Sequence, residues 1–169
     1  MPNLRFLIPN RFSGRAKLLD DVDAARIRTM HWKEFDRLVC EVFRRIGYTI
    51  TDGTASKDGE VDFIATTATE KVLVQCDRRN SPVPLSTARE LHKAMTAHAA
   101  TGGALVTSGS FSDEAAAFAA EASIQLIDAA GLADLTRCLR EVDVTPRRRR
   151  SDLERVQQSS RSNSSRTTA

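Results

Sequence analysis

The sequence predicts an α/β fold in which a mixed central sheet is flanked by helices. Three observations lead there. Residues 31–46 carry apolar side chains at helical spacing. Two strand-like apolar runs follow, joined by a short polar link. Beyond them helical and strand-like segments alternate, as they do when helical crossovers return the chain to a neighbouring parallel strand.

Taken in order, residues 1–28 read as a leader, weakly structured and weakly packed, in which Asp20 to Ile27 has one or two helical turns. The helix at His31 to Ile46 is the clearest element. Phe35, Leu38, Val39, Val42, Phe43 and Ile46 form one apolar stripe, with Trp32 extending it by a turn. Arg44 and Arg45 suit the last turn, and Gly47 suits the left-handed position that ends it. Asp36 lies on the flank of the stripe, where spacing alone favours water.

Tyr48-Thr49-Ile50 is a first strand, followed by a polar loop from Asp52 to Ser56. A hairpin comes next. Val61 to Ile64 and Lys71 to Asp77 are its strands, and Ala65 to Glu70 is the link. Pro82 and Pro84 place a turn before the second helix. Thr87 opens that helix with Glu90 at capping-box spacing. Ala88, Leu91, Met95 and Ala99 form its buried side, and Gly102-Gly103 stops it. Ala104 to Ser108 is a buried strand. Ser112 caps an alanine-rich helix from Asp113 to about Glu121. Ile124 to Ile127 is a last strand, Asp128 to Gly131 a turn, and Leu132, Leu135 and Leu139 a short final helix.

Composition narrows the function classes. A chain of 169 residues is read as one domain with tails: leader 1–28, folded domain 29–144 and an Arg/Ser-rich tail 145–169 expected to be disordered. The net charge of +3 resides in that tail. Its seven arginines against Asp152 and Glu154 give it +5 and leave the rest of the chain at −2. Overall basicity is therefore no argument that the folded body binds nucleic acid. Cys40, Cys76 and Cys138 have no metal-ligand spacing and fit a reducing interior, so a cytoplasmic location is expected. No stretch approaches a membrane span or a secretory signal.

The stretch with chemistry is Lys57-Asp58-Gly59-Glu60-Val61-Asp62 and the following Val72-Leu73-Val74-Gln75-Cys76-Asp77. Alternation along a strand puts Gln75 and Asp77 on one face, with Cys76 opposite. Asp62 lies between Val61 and Phe63 and so points away from both, where an antiparallel partner strand brings it beside Asp77. Paired carboxylates at strand ends suit a hard divalent cation. The same residues also fit an exposed turn and strand edge, and both readings stand at this level.

Several segments together resemble the Mrr-type restriction endonuclease domain, a branch of the PD-(D/E)xK nuclease superfamily. They are Trp32-Lys33-Glu34-Phe35-Asp36-Arg37-Leu38-Val39, Phe43 to Tyr48, Asp58 to Asp62, Val72 to Asp77, Arg89-Glu90-Leu91, Gly103 to Ser112 and Ile124 to Asp128. The resemblance spans about Thr29 to Leu139 and implies a restriction-endonuclease-like core. It also implies that Asp62 is the metal-binding aspartate and that the family's Gln-x-Lys falls on Gln75-Cys76-Asp77, with Asp77 in the place of the lysine. Glu60 stands where a second glycine is usual, and Asp36 where a helix glutamate is usual.

By the same resemblance, the expected activity is phosphodiester hydrolysis of DNA with Mg²⁺ or Mn²⁺. Asp62, Gln75, Asp77 and Lys93 would act at the reaction centre, with Asp62, Asp77, Asp36 and Glu60 around the metal. DNA is the expected partner, together with a second copy of the chain or a separate recognition partner. The absent lysine opens an alternative. Its ammonium would stabilise developing negative charge and help position the attacking water, and an aspartate reverses that charge. Either a cation from elsewhere fills the space, or cleavage is lost and a binding role remains. Arg78, Arg79 and Lys93 are the cations in view. Lys93 is the better base, because arginine stays protonated.

Overall fold

The computed structural model describes residues 22–52, 61–79 and 81–141. Residues 53–60, which include most of the expected polar loop and Glu60, lie outside them, as do most of the leader and the tail. Among the described residues the chain forms α1 (Ala24–Thr29), α2 (Trp32–Arg45), β1 (Thr49–Asp52), β2 (Phe63–Thr66), β3 (Lys71–Asp77), α3 (Leu85–Ala97), β4 (Gly102–Thr107), α4 (Asp113–Glu121) and β5 (Ile124–Ile127). A last helix, α5, covers residues 129–141. The strands form one sheet in the order β1-β2-β3-β4-β5. β1, β2 and β3 pair antiparallel, whereas β3-β4 and β4-β5 are parallel. This is the expected mixed sheet flanked by helices. Among the described residues no helix is long and apolar enough to cross a membrane.

Strand alternation sorts the core into two layers. Phe63, Ala65, Val74, Ala104, Val106 and Ile127 face the stripe of α2, together with Ile27 of α1 and Leu132 and Leu139 of α5. Leu73, Leu105 and Ile124 face α3 and α4 through Leu91, Met95 and Ala119. The second helix layer sits close to the sheet because β4 presents Gly103. A side-chain carbon there would lie 2.6 Å from Met95 Sδ and 3.2 Å from Leu91 Cδ2.

Local chemistry sets the ends of the elements. Gly47, at φ 104°, ends the α2 turn in the conformation that glycine adopts without strain. Ser112 Oγ accepts from the Ala115 amide at 3.2 Å and caps α4.

Several boundaries differ from the sequence reading. The leader's last turn is α1, and Ile27 is fully buried in the core, so this part is firmly packed. Trp32 does not extend the stripe; it is 55% exposed beside His31 and under the Lys33 ammonium. β2 runs on through Thr66. The hairpin turn is therefore only residues 67–70, closed by Thr67 N–H donating to Glu70 O at 2.9 Å. α3 begins directly after Pro84, so Thr87 is a buried residue of its first turn rather than its cap. α3 also ends sooner, at Ala97. Ala99 is exposed at φ 49°, and Gly102-Gly103 open β4. The expected turn after β5 is already helix, because Asp128 Oδ1 accepts from the Gly131 amide at 2.8 Å and caps α5.

Candidate functional site

The site lies at the end of β3, where β2 has not yet begun. Phe63 pairs with Val74, so the residue before it would face Gln75 if the strand continued. The chain bends there instead. Val61 packs in the Leu73 layer and Phe63 in the α2 layer, although the two are two positions apart. The bend at Asp62 breaks the alternation from which its direction was read. Asp62 still donates its amide to Val74 O at 3.1 Å, and its carboxylate Oδ2 accepts from the Cys76 amide at 2.6 Å. That oxygen replaces the carbonyl a longer β2 would have offered to β3.

The carboxylate is thereby drawn onto the strand end and loses water, although Asp62 is exposed as a residue. Burial raises its pKa; the Cys76 amide opposes this and the Asp77 charge adds to it. Asp36, on the flank of α2, is half-buried rather than solvated. Burial and the charge of Asp62 raise its pKa against the pull of Arg78. Cys76 lies on the same side, and its thiol is pushed well up by burial and then by Asp62, Asp36 and Cys40. The strand end and α2 thus hold two carboxylates whose pKa values are both raised above the ordinary range.

Asp36→Asn tests this arrangement through pH. Relative to the unfolded chain, whose aspartates titrate near 3.8, the folded protein holds these protons more tightly. Their stabilising contribution is therefore present below that value and is lost as pH rises through the raised one. The variant is expected to flatten this decline above about pH 4 and to gain less than about 1 kcal/mol at neutral pH. Denaturant melts across that range measure it, and an unaltered pH slope rules the coupling out.

The face toward α3 is organised differently. Asp77 is 8% exposed, and Arg79 closes over it. Arg79 Nε donates to Oδ1 at 2.9 Å, Nη2 meets Oδ2 at 2.7 Å, and the Arg79 amide donates to Oδ1 at 2.9 Å. Gln75 Oε1 is buried and has no hydrogen-bond partner among the described residues. On the opposite face, Arg78 lies over the Phe35 ring at 5.6 Å.

Of the residues singled out in the sequence, Asp36 and Asp62 are brought together, and Asp77 is close enough for its charge to act on Asp62. Lys93 is not. It projects into water from α3, about half a turn round from buried Leu91 and Met95, and among the described residues makes no hydrogen bond or ion pair with Asp62, Gln75 or Asp77. The partner role of Arg79 was not read from the sequence. Its signal was available in the opposite charges at i and i+2, which share a face on a strand.

Among the described residues no group of three or more His, Cys, Asp or Glu side chains is arranged to hold a metal ion. Two oxygen donors of the kind a hard cation takes nevertheless lie at the end of β3, the Asp62 carboxylate on the Cys76 amide and the buried Gln75 Oε1, which has no partner among the described residues. Asp77 does not fit such a set, because Arg79 occupies its oxygens.

Comparison with known proteins places these features. A family model described as restriction endonuclease, the Mrr catalytic type, matches residues 27–136. The modification-dependent restriction endonuclease AspBHI superposes with a TM-score of 0.51 at 15% identity, over 85% of this chain and 41% of that one. MspJI restriction endonuclease, in a complex with a 27-mer oligonucleotide, gives 0.45 at 24% identity over 67% and 27%. A protein of unknown function, AF1548, gives 0.45 at 21% identity over 54% of each chain. This chain thus spans about half the length of these structures or less. No curated protein sequence matches significantly.

Proposed function

This chain belongs to the Mrr-type restriction endonuclease family, and on that premise we propose that it binds DNA on a nuclease fold without metal-dependent cleavage of its own. One observation supports this reading above the others: Asp77, which the resemblance sets in the place of the family's lysine, is buried and held by Arg79. A mobile ammonium beside the attacking water is replaced by a neutralised pair. The guanidinium in that pair remains protonated and cannot serve as a base. The strand end can then meet a backbone phosphate without the group that would activate water against it. Sequence selectivity is assigned to a separate recognition partner or to a second copy of the chain.

A second reading has its own support in Gln75, whose buried Oε1 has no partner among the described residues. Asp62 and Gln75, with Asp36 nearby, would hold Mg²⁺ or Mn²⁺, and the ion would supply Lewis-acid chemistry at a phosphodiester. Relief of the burial and repulsion that keep Asp36 and Asp62 toward neutrality favours such an ion.

A plasmid assay separates the two readings. Wild type is expected to retard duplex DNA but, with Mg²⁺ or Mn²⁺, to nick supercoiled plasmid no faster than Asp62→Ala. Strong nicking by wild type that disappears in Asp62→Ala would refute the silent reading and install the second.

A further inference from the structure

Just past the end of β3 the chain turns the Arg79 guanidinium toward solvent, and its direction is set by a buried carboxylate. We infer that Arg79 contacts a backbone phosphate and that Asp77 is its positioning residue; this rests on the DNA-binding reading and names the contact through which that binding works.

The geometry of the pair carries the inference. Asp77 is 8% exposed, whereas the Arg79 side chain is 42% exposed, so the anion sits behind and the cation in front. Nε and one Nη2 donor are spent on the two carboxylate oxygens. A guanidinium carries five N–H donors in a rigid plane, which leaves three of them, including both on Nη1, for a second acceptor. A phosphate takes two such donors side by side. The backbone beneath is pinned as well. The Arg79 amide bonds Asp77 Oδ1, and the turn after β4 approaches so closely that a side-chain carbon at Gly109 would lie 3.2 Å from Arg79 O.

The neighbouring arginine does not compete for the role. Arg78 lies on the other face over Phe35, with its Nε buried. The charge of Asp62 just across the strand end would discourage an anion on its own, and the outward guanidinium offsets it there. An ordinary exposed ion pair would contribute little to anything. What distinguishes this one is a buried acceptor that fixes an exposed fork.

The test is duplex-DNA binding by the full chain, followed by fluorescence anisotropy across a salt series. Arg79→Ala is expected to lose about tenfold in affinity at low salt, and its salt slope should shrink by about 0.9, the value for one phosphate. Asp77→Asn removes a negative charge, which by simple attraction would tighten binding; as a positioning residue its replacement should weaken binding instead. Arg137→Ala, which removes a surface arginine paired with Asp134 on α5, should match wild type. Circular dichroism and a thermal melt establish that each variant is folded. If Asp77→Asn does not fold, Arg79→Lys takes its place. It keeps the charge but not the fork, and should retain the salt slope while losing affinity; undiminished affinity would overturn the assignment. Tighter binding by Asp77→Asn overturns the positioning role. Wild-type binding with an Arg79→Ala slope equal to it overturns the phosphate contact and leaves the DNA-binding reading intact. Absence of any wild-type binding removes both.

Discussion

Phe35→Ala is expected to destabilise the protein by about 3–5 kcal/mol, the usual cost of deleting a large aromatic side chain from a closed core. Phe35 is fully buried in the layer between α2 and the sheet. Its ring also lies under the Arg78 guanidinium, and the residue that follows it in α2 is Asp36. The cavity would therefore open directly beneath the candidate site. Equilibrium unfolding in guanidinium chloride measures the loss. Trp32→Ala is the matched control, since that ring is already 55% exposed and its removal should cost well under about 1 kcal/mol. Equal losses from the two variants would show that α2 does not dock through this stripe.

The second large effect is expected at Asp77. The proposal that Asp77 stands in the place of a lysine makes Asp77→Lys the substitution to test, and removing one of two neighbouring acids would by itself relieve repulsion. The structure reverses that expectation. Lysine would bury an ammonium in the slot of a residue that is 8% exposed, beside the Arg79 guanidinium, and would remove the acceptor of three contacts. Because Arg79 is partly exposed, solvent would absorb some of the penalty, and a loss of about 2–4 kcal/mol is expected. No gain in plasmid nicking should accompany it. Replacing Arg79 with a small neutral residue in the same chain should recover part of the stability, because the like charge disappears. A single Asp77→Lys variant as stable as wild type, in the same melts, would show that the pair does not hold the strand end. The two positions are thus coupled: a lysine at position 77 costs less once Arg79 has changed.

The fold was legible where spacing alone decides. The stripe of α2, the alternation of β3 and the Ser112 cap each follow from side chains within a few positions of one another. Boundaries were less legible where distant contacts decide them. Ala65 and Thr66 read as a link because they are small and polar, yet pairing with β1 carries the strand through them. Ala99 read as buried by helical period, but the helix had already ended. At the site, the residues were found and their arrangement was not. Asp62 was placed by a parity rule that its own backbone bend suspends. Asp36 read as solvated because nothing local says that a strand end lies over its flank. The Asp77–Arg79 pair is local, yet two opposite charges two positions apart at a strand end were not read as a pair.

The sheet order has a kinetic consequence. Each strand pairs only with its neighbours in sequence, from β1 through β5. No strand has to wait for a later one to be inserted beside it. As the chain leaves a ribosome, the antiparallel meander can close first, and each crossover then adds one strand to an edge that already exists. Low separation between paired segments favours rapid folding. It also means that the pairing at the end of β3, with Asp62 against Cys76, needs no residue of β4 or β5.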